Sequence, residues 1–184
     1  MRSEKSMDQK KQKHKGLGLL ILTLVLIAAA LGYFLLAKPG VKSQIGDLTC
    51  TVSISCASIL DHMELCKEEK QSLVPADGWI LQPVEAAFTE GESVFDVLQR
   101  VCRENKIHME FTDTPLYQSA YIEGIANLYE FDCGDRSGWM YKVNDWFPNY
   151  GCSRYELQDG DTVEWVYTCE LGDDVGGGYA AEGE

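Results

Sequence analysis

The sequence predicts an α+β domain, a mixed or antiparallel sheet crossed by one main helix, carried behind a single membrane-spanning helix. Three observations predict it. Hydropathy breaks near residue 40: residues 1–16 are polar and basic, residues 17–37 are uncharged and almost wholly apolar, and the remainder is acidic. A stretch beginning at Ser93 has the cap, apolar face and stop of an amphipathic helix. The remaining periodic stretches are mostly short and alternating, in the order strand, helix, strand, helix, then several strands.

The amino-terminal elements come first. An apolar run of about 20 residues can cross a bilayer as a helix; Leu17 to Ala37 supplies 21. Arg2, Lys5, Lys10, Lys11, Lys13 and Lys15 on its amino side hold residues 1–16 in the cytoplasm and place the rest outside the cell. Signal peptides have apolar regions of about 7–15 residues, so the length favours an uncleaved anchor. Ala28-Ala29-Ala30 leaves the alternative of cleavage and secretion. Residues 38–47 (KPGVKSQIGD) read as a linker, 48–175 as the folded extracellular domain and 176–184 (GGGYAAEGE) as a flexible tail.

Within the domain, Leu48 to Ser55 alternates and is β-branched, which predicts a strand. Ile59, Leu60, Met63 and Cys66 fall at helical spacing, predicting a helix over Ser58 to Lys70 with Ser58 as its amino cap. A turn at Pro75 to Gly78 precedes a second strand, Trp79 to Thr89, with an interruption expected at Pro83. The main helix follows: Ser93 and Asp96 form a capping box, and Val94, Val97, Leu98, Val101 and Cys102 make one apolar face. Short strands are predicted at Ile107 to Phe111, Ala120 to Glu123, Leu128 to Phe131, Trp139 to Val143 and Thr162 to Thr168. Asn144-Asp145 reads as a hairpin turn, and Asp159-Gly160-Asp161 as the turn before the last strand.

Charge and cysteine usage narrow the function classes. Of 29 acidic residues only Glu4 and Asp8 precede the apolar run, so residues 43–184 carry 27 against eight basic ones, a net charge of −19. Such a field repels nucleic acid and anionic lipid and tolerates cations, neutral ligands and basic peptides. All seven cysteines, Cys50, Cys56, Cys66, Cys102, Cys133, Cys152 and Cys169, follow the apolar run, and outside the cell they read as disulfides. Seven is odd, so at least one is free or pairs with another chain. No C-x-x-C occurs, which removes the thioredoxin-type reading and zinc-finger spacing. The acidic pairs Asp132/Asp135, Asp159/Asp161 and Asp173/Asp174 lack the spacing of a calcium loop and read as turn chemistry. His14, His62 and His108 meet no hydrolase motif, so no catalytic residues and no metal ligands are expected: the domain is not read as an enzyme.

From Gly138 to Thr168 the chain holds Trp139, Tyr141, Trp146, Phe147, Tyr150, Tyr155, Trp165 and Tyr167 within 31 residues. Alternation puts Trp139 and Tyr141 on one strand face, and Trp165 and Tyr167 on another, which core packing explains. Trp146, Phe147, Asn149 and Tyr150, at the hairpin tip and in the loop after it, are the candidate ligand contacts, since exposed aromatics stack on flat rings and sugars. The sequence G-W-M-Y-K-V-N followed by L-x-D-G-D-x-V-E-W-x-Y, with the helix around Val94-Phe95-Asp96-Val97-Leu98, resembles the transcobalamin-like carboxy-terminal domain of bacterial surface proteins, a family largely of unknown function. The likeness covers about residues 50–175; Asp145 stands where that family usually has glycine.

The resemblance implies a β-grasp-like fold with the first and last strands parallel near the sheet centre. It makes a Cys56–Cys169 bridge reasonable; Cys133 and Cys152, which flank the aromatic hairpin, are the second candidate pair, and Cys50, Cys66 and Cys102 remain unassigned. It also implies a corrinoid or another small flat ligand. In animal cobalamin carriers the related domain covers one face of the corrinoid and a helical barrel holds the other. No such barrel is read here, so a corrinoid would need a second subunit. The alternative is a surface protein–protein interaction or assembly module.

Overall fold

The computed structural model describes residues 46–114 and 118–177. The unit Met1–Ser43, which includes the predicted cytoplasmic segment and membrane-spanning run, lies outside the described residues, as do part of the linker and the tail beyond Gly177. Among the described residues no helix is long and apolar enough to cross a membrane.

Strand β1 (Leu48–Ser55) leads into α1 (Ser58–Asp61), a 3-10 turn at Met63–Leu65 and α2 (Glu68–Gln71). Then come β2 (Trp79–Phe88), α3 (Val94–Glu104), β3 (Met109–Thr114), β4 (Ser119–Ile125), β5 (Leu128–Tyr129) and β6 (Gly138–Val143). A 3-10 turn at Cys152–Arg154, β7 (Thr162–Thr168) and a last 3-10 turn at Asp173–Val175 complete it. The class is mixed α+β, as the order of periodic segments predicts.

The main sheet has the order β2-β1-β7-β6. Its two central strands, β1 and β7, run parallel, with Thr51 opposite Thr162 and Ser55 opposite Val166. β2 and β6 flank them antiparallel. This places the first and last strands side by side, the arrangement the resemblance implies. Pro83 sits exposed in β2, an edge strand, where a missing N–H breaks no inner ladder. Where one sheet was expected, the described residues form two: β3, β4 and β5 make a separate antiparallel sheet. Short connections let these three strands pair with one another, and Ala126 and Asn127, both at positive φ, fold β5 back onto β4.

Helix α3 forms as its sequence predicts. The Ser93 hydroxyl accepts from Asp96 N at 3.2 Å while Asp96 Oδ2 accepts from Ser93 N at 2.9 Å, closing the capping box. Its apolar face, Val94, Val97, Leu98, Val101 and Cys102, shares one buried cluster with Cys50, Val52 and Ile54 of β1, Phe88 of β2 and Val163 and Trp165 of β7. Each such aliphatic side chain, fully buried, contributes about 1.5–3 kcal/mol.

The helix predicted over Ser58 to Lys70 is instead three short pieces. His62 leaves helical geometry, and Cys66 and Lys67 are extended, with ψ of 130° and 135°. Tertiary ties explain the break: Lys67 N donates to Asp132 O at 2.9 Å, its ammonium meets Asp132 Oδ1 at 3.0 Å, and Cys66 is drawn into a buried cluster. Ser58 is not the cap either. Ala57 holds that position without a side-chain bond, and the Ser58 hydroxyl donates to the Tyr167 carbonyl. Gly78 makes the approach beneath possible: its φ is +72° and a Cβ there would lie 2.5 Å from Ala57 Cα.

Candidate functional site

The aromatic band is built on the end of β6. Val143 and Trp146 exchange backbone hydrogen bonds of 2.9 and 3.0 Å across the Asn144–Asp145 turn. Both turn residues are left-handed, at φ 51° and 66°, as a two-residue hairpin with right-handed twist requires. The turn holds without glycine because Asn144 is strapped to β7. Its Oδ1 accepts from Thr162 N at 2.9 Å and its Nδ2 donates to Asp161 Oδ1 at 2.8 Å. Lys142 bridges Asp145 at 3.3 Å and Glu164 at 3.0 Å beside the tip.

Trp146 and Tyr150 stand in solvent, 53 % and 41 % exposed, with ring centroids 6.3 Å apart. Behind them Tyr150 stacks on Tyr155 at 6.0 Å and 12°, Tyr155 meets Tyr141 edge-on at 6.3 Å, and Tyr141 lies 5.5 Å from the buried Trp165. An aromatic ladder thus runs from the core to the surface. The Tyr141 hydroxyl donates to the Tyr150 carbonyl at 2.8 Å and fixes the loop. Burial pushes the Tyr141 and Tyr155 hydroxyls up, so both remain neutral donors near neutral pH. Gly151 lets the loop lie against β4, since a Cβ there would sit 1.9 Å from Ser119 Oγ. Next to this contact, Asp113, Thr114, Gln118, Ser119, Ala120 and Ser153 line a shallow cleft of about 240 Å³. That is below the roughly 300 Å³ of a pocket that encloses a drug-sized ligand.

Of the four residues singled out from sequence, Trp146 and Tyr150 are brought together. Phe147 is not: it is half-buried with its ring against Gly177, where an added Cβ would lie 2.8 Å from the ring. Asn149 is exposed on the loop. Tyr155, which carries the stack, and Asn144, which holds the tip, were not among the sequence candidates. Asn in a two-residue turn was the available signal for the second; the first depends on a fold-level contact.

The cysteines divide. Cys56, Cys66, Cys133 and Cys169 share a buried cluster with Ile59, Leu128 and Tyr167, whereas Cys50, Cys102 and Cys152 lie in the main core. Cys133 and Cys152, expected as a pair, are therefore not brought together, while Cys56 and Cys169 fall in one cluster. All seven are free thiols in this structure. Burial pushes Cys50 and Cys152 up to about 11 and Cys102 up to about 12, which makes them poor nucleophiles.

Among the described residues no group of three or more His, Cys, Asp or Glu is placed to hold a metal ion. The acidic pairs do turn work: Asp159 accepts from Thr49 N at 2.8 Å, Asp161 from Gln158 N at 2.8 Å, and Asp174 from Cys169 N at 2.7 Å.

The fold and this surface define a small mixed α+β domain with a strapped aromatic hairpin. A family described as a domain of unknown function (DUF4430) matches residues 91–169, from the turn before α3 to the end of β7. Similar solved structures include the following two. One is haptocorrin in complex with Cbi, at 15% identity and a TM-score of 0.46, over 67% of this chain and 26% of that one. The other is a Ruminococcus gnavus ATCC 29149 protein provisionally described as metal-binding, at 16% identity and a TM-score of 0.42, over 66% of this chain and 97% of that one. The chain thus spans about a quarter of haptocorrin's length. No curated protein matches.

Proposed function

We propose that the chain is a single-pass membrane protein displaying a non-catalytic binding domain outside the cell, and that Trp146 and Tyr150 take a small flat ligand, a corrinoid being the first to try. The observation that carries this reading is the exposed pair Trp146 and Tyr150, held at 6.3 Å by a ladder of rings and a strapped turn. Exposed aromatics on a fixed support present flat apolar area at little entropic cost.

The full chain in detergent is titrated with hydroxocobalamin and with cobinamide, following tryptophan emission and the melting midpoint. Binding quenches emission and raises the midpoint, and Trp146→Ala weakens it about tenfold, equivalent to about 1.4 kcal/mol. No change in either signal at millimolar ligand removes the small-ligand reading. The second reading, a surface protein-interaction module, is favoured by Phe131 and Leu171, which are 53 % and 50 % exposed. It predicts capture of a surface partner that Phe131→Ser abolishes and Trp146→Ala does not.

A further inference from the structure

We propose that the cleft where β3 and β4 meet the 3-10 turn at Cys152–Arg154 is a second binding site, for one unit of a neutral sugar. Asp113, Thr114, Gln118, Ser119 and Ala120 line it from the β3–β4 side, and Ser153 lines it from the turn. The two sides are tied together. Ala120 N donates to the Ser153 hydroxyl at 3.0 Å, and Ser153 N donates to the Ser119 hydroxyl at 3.3 Å. The lining is therefore held by β4 as well as by the turn. It uses neither Trp146 nor Tyr150, so this site stands or falls apart from the ligand reading above.

The polar groups of the cleft are of both kinds. Among the described residues the Asp113 carboxylate and the Gln118 amide have no hydrogen-bond partner. The Ser153 hydroxyl accepts from Ala120 N, and no described oxygen takes its own proton. The Thr114 hydroxyl donates to the Ser119 carbonyl, which leaves its lone pairs to accept. Acceptors thus stand at Asp113 and Thr114, a donor at Ser153, and both at Gln118. An ammonium group needs acceptors alone, and an anion needs donors alone. A sugar hydroxyl donates and accepts at once, and one carboxylate can take the protons of two neighbouring hydroxyls. Ala120 offers apolar contact to the C–H groups of the ring. The net charge of −19 over residues 43–184 favours neutral sugars over acidic or phosphorylated ones.

Size and backbone agree with this class. The cleft's 240 Å³ is the liquid volume of about eight waters, room for one six-membered ring with its hydroxyls and too little for a corrinoid. Gln118 is held at φ 48°, in the left-handed region, and strain of this kind gathers at ligand sites. A shallow cleft with few polar contacts binds weakly, with a dissociation constant on the order of 1 mM.

The full chain, in a detergent without a sugar headgroup, is titrated with glucose, galactose and N-acetylglucosamine to about 0.1 M and followed by saturation-transfer NMR. At least one of the three is expected to bind, and Asp113→Asn to weaken it about tenfold or more while the melting midpoint holds, because Asp113 is exposed and ties down no other described group. Gln118→Gly removes the amide and the backbone strain together, so sugar binding falls while the midpoint holds or rises. No saturation transfer to any of the three sugars, binding that Asp113→Asn leaves intact, or putrescine bound in preference to the sugars overturns the proposal. Cobinamide titration of the same sample reads the other site. Sugar binding without cobinamide binding removes only the ring-pair ligand, and cobinamide binding without sugar removes only this cleft.

Discussion

Asn144 does more than shape a turn, because its amide joins the hairpin tip to Asp161 and Thr162. Asn144→Ala removes both bonds and places alanine at a left-handed φ; a loss of about 2–3 kcal/mol in urea unfolding is expected. Its neighbour behaves oppositely. Asp145 is left-handed at φ 66°, and its bond to Lys142 is solvent-exposed, so Asp145→Gly should stabilise the chain by about 0.5–1 kcal/mol. Asp132 is a pH-sensitive carboxylate, as is Glu92 beside Arg100. Burial acts to raise Asp132, but the Tyr129 N–H and the ammonium groups of Lys67 and Lys70 outweigh burial and hold it below the usual range. A carboxyl depressed on folding stabilises above its unfolded value of about 3.9, and that contribution fades as pH falls through the folded value. Asp132→Asn should therefore be less stable than wild type near about pH 7, with the gap narrowing on acidification, as urea midpoints across pH will read.

Among the elements, those whose signals are local were legible. β7 begins and ends where alternation puts it, because every second residue from Val163 to Tyr167 meets the core. α3 was legible for its capping box, and Ser93→Ala should cost about 1 kcal/mol in equilibrium unfolding. The hairpin tip and the exposed pair Trp146 and Tyr150 were readable from the turn and the position of the rings. The segment from Ser58 to Lys70 was not: its apolar spacing is helical, but Asp132, more than sixty residues on, claims Lys67's backbone and side chain. Phe147 misled for a similar reason, since its partner is Gly177 beyond the last strand. The grouping of four cysteines apart from three was hidden too, as spacing along the chain carries no record of which core a side chain enters.

At the scale of the whole molecule, charge and strand order set the behaviour. A net charge of −19 over residues 43–184 repels itself across the folded surface. Added sodium chloride at about 0.5 M shortens the screening length to a few ångströms, so the melting midpoint should rise with salt before any ligand is added. The parallel β1 and β7 at the centre of the main sheet carry a further consequence. The strand made first must wait for the strand made last, because the ladder joining them has no partner until Thr168 has left the ribosome. Folding of this domain is therefore governed at its centre by a long chain closure, which makes it slow for its size.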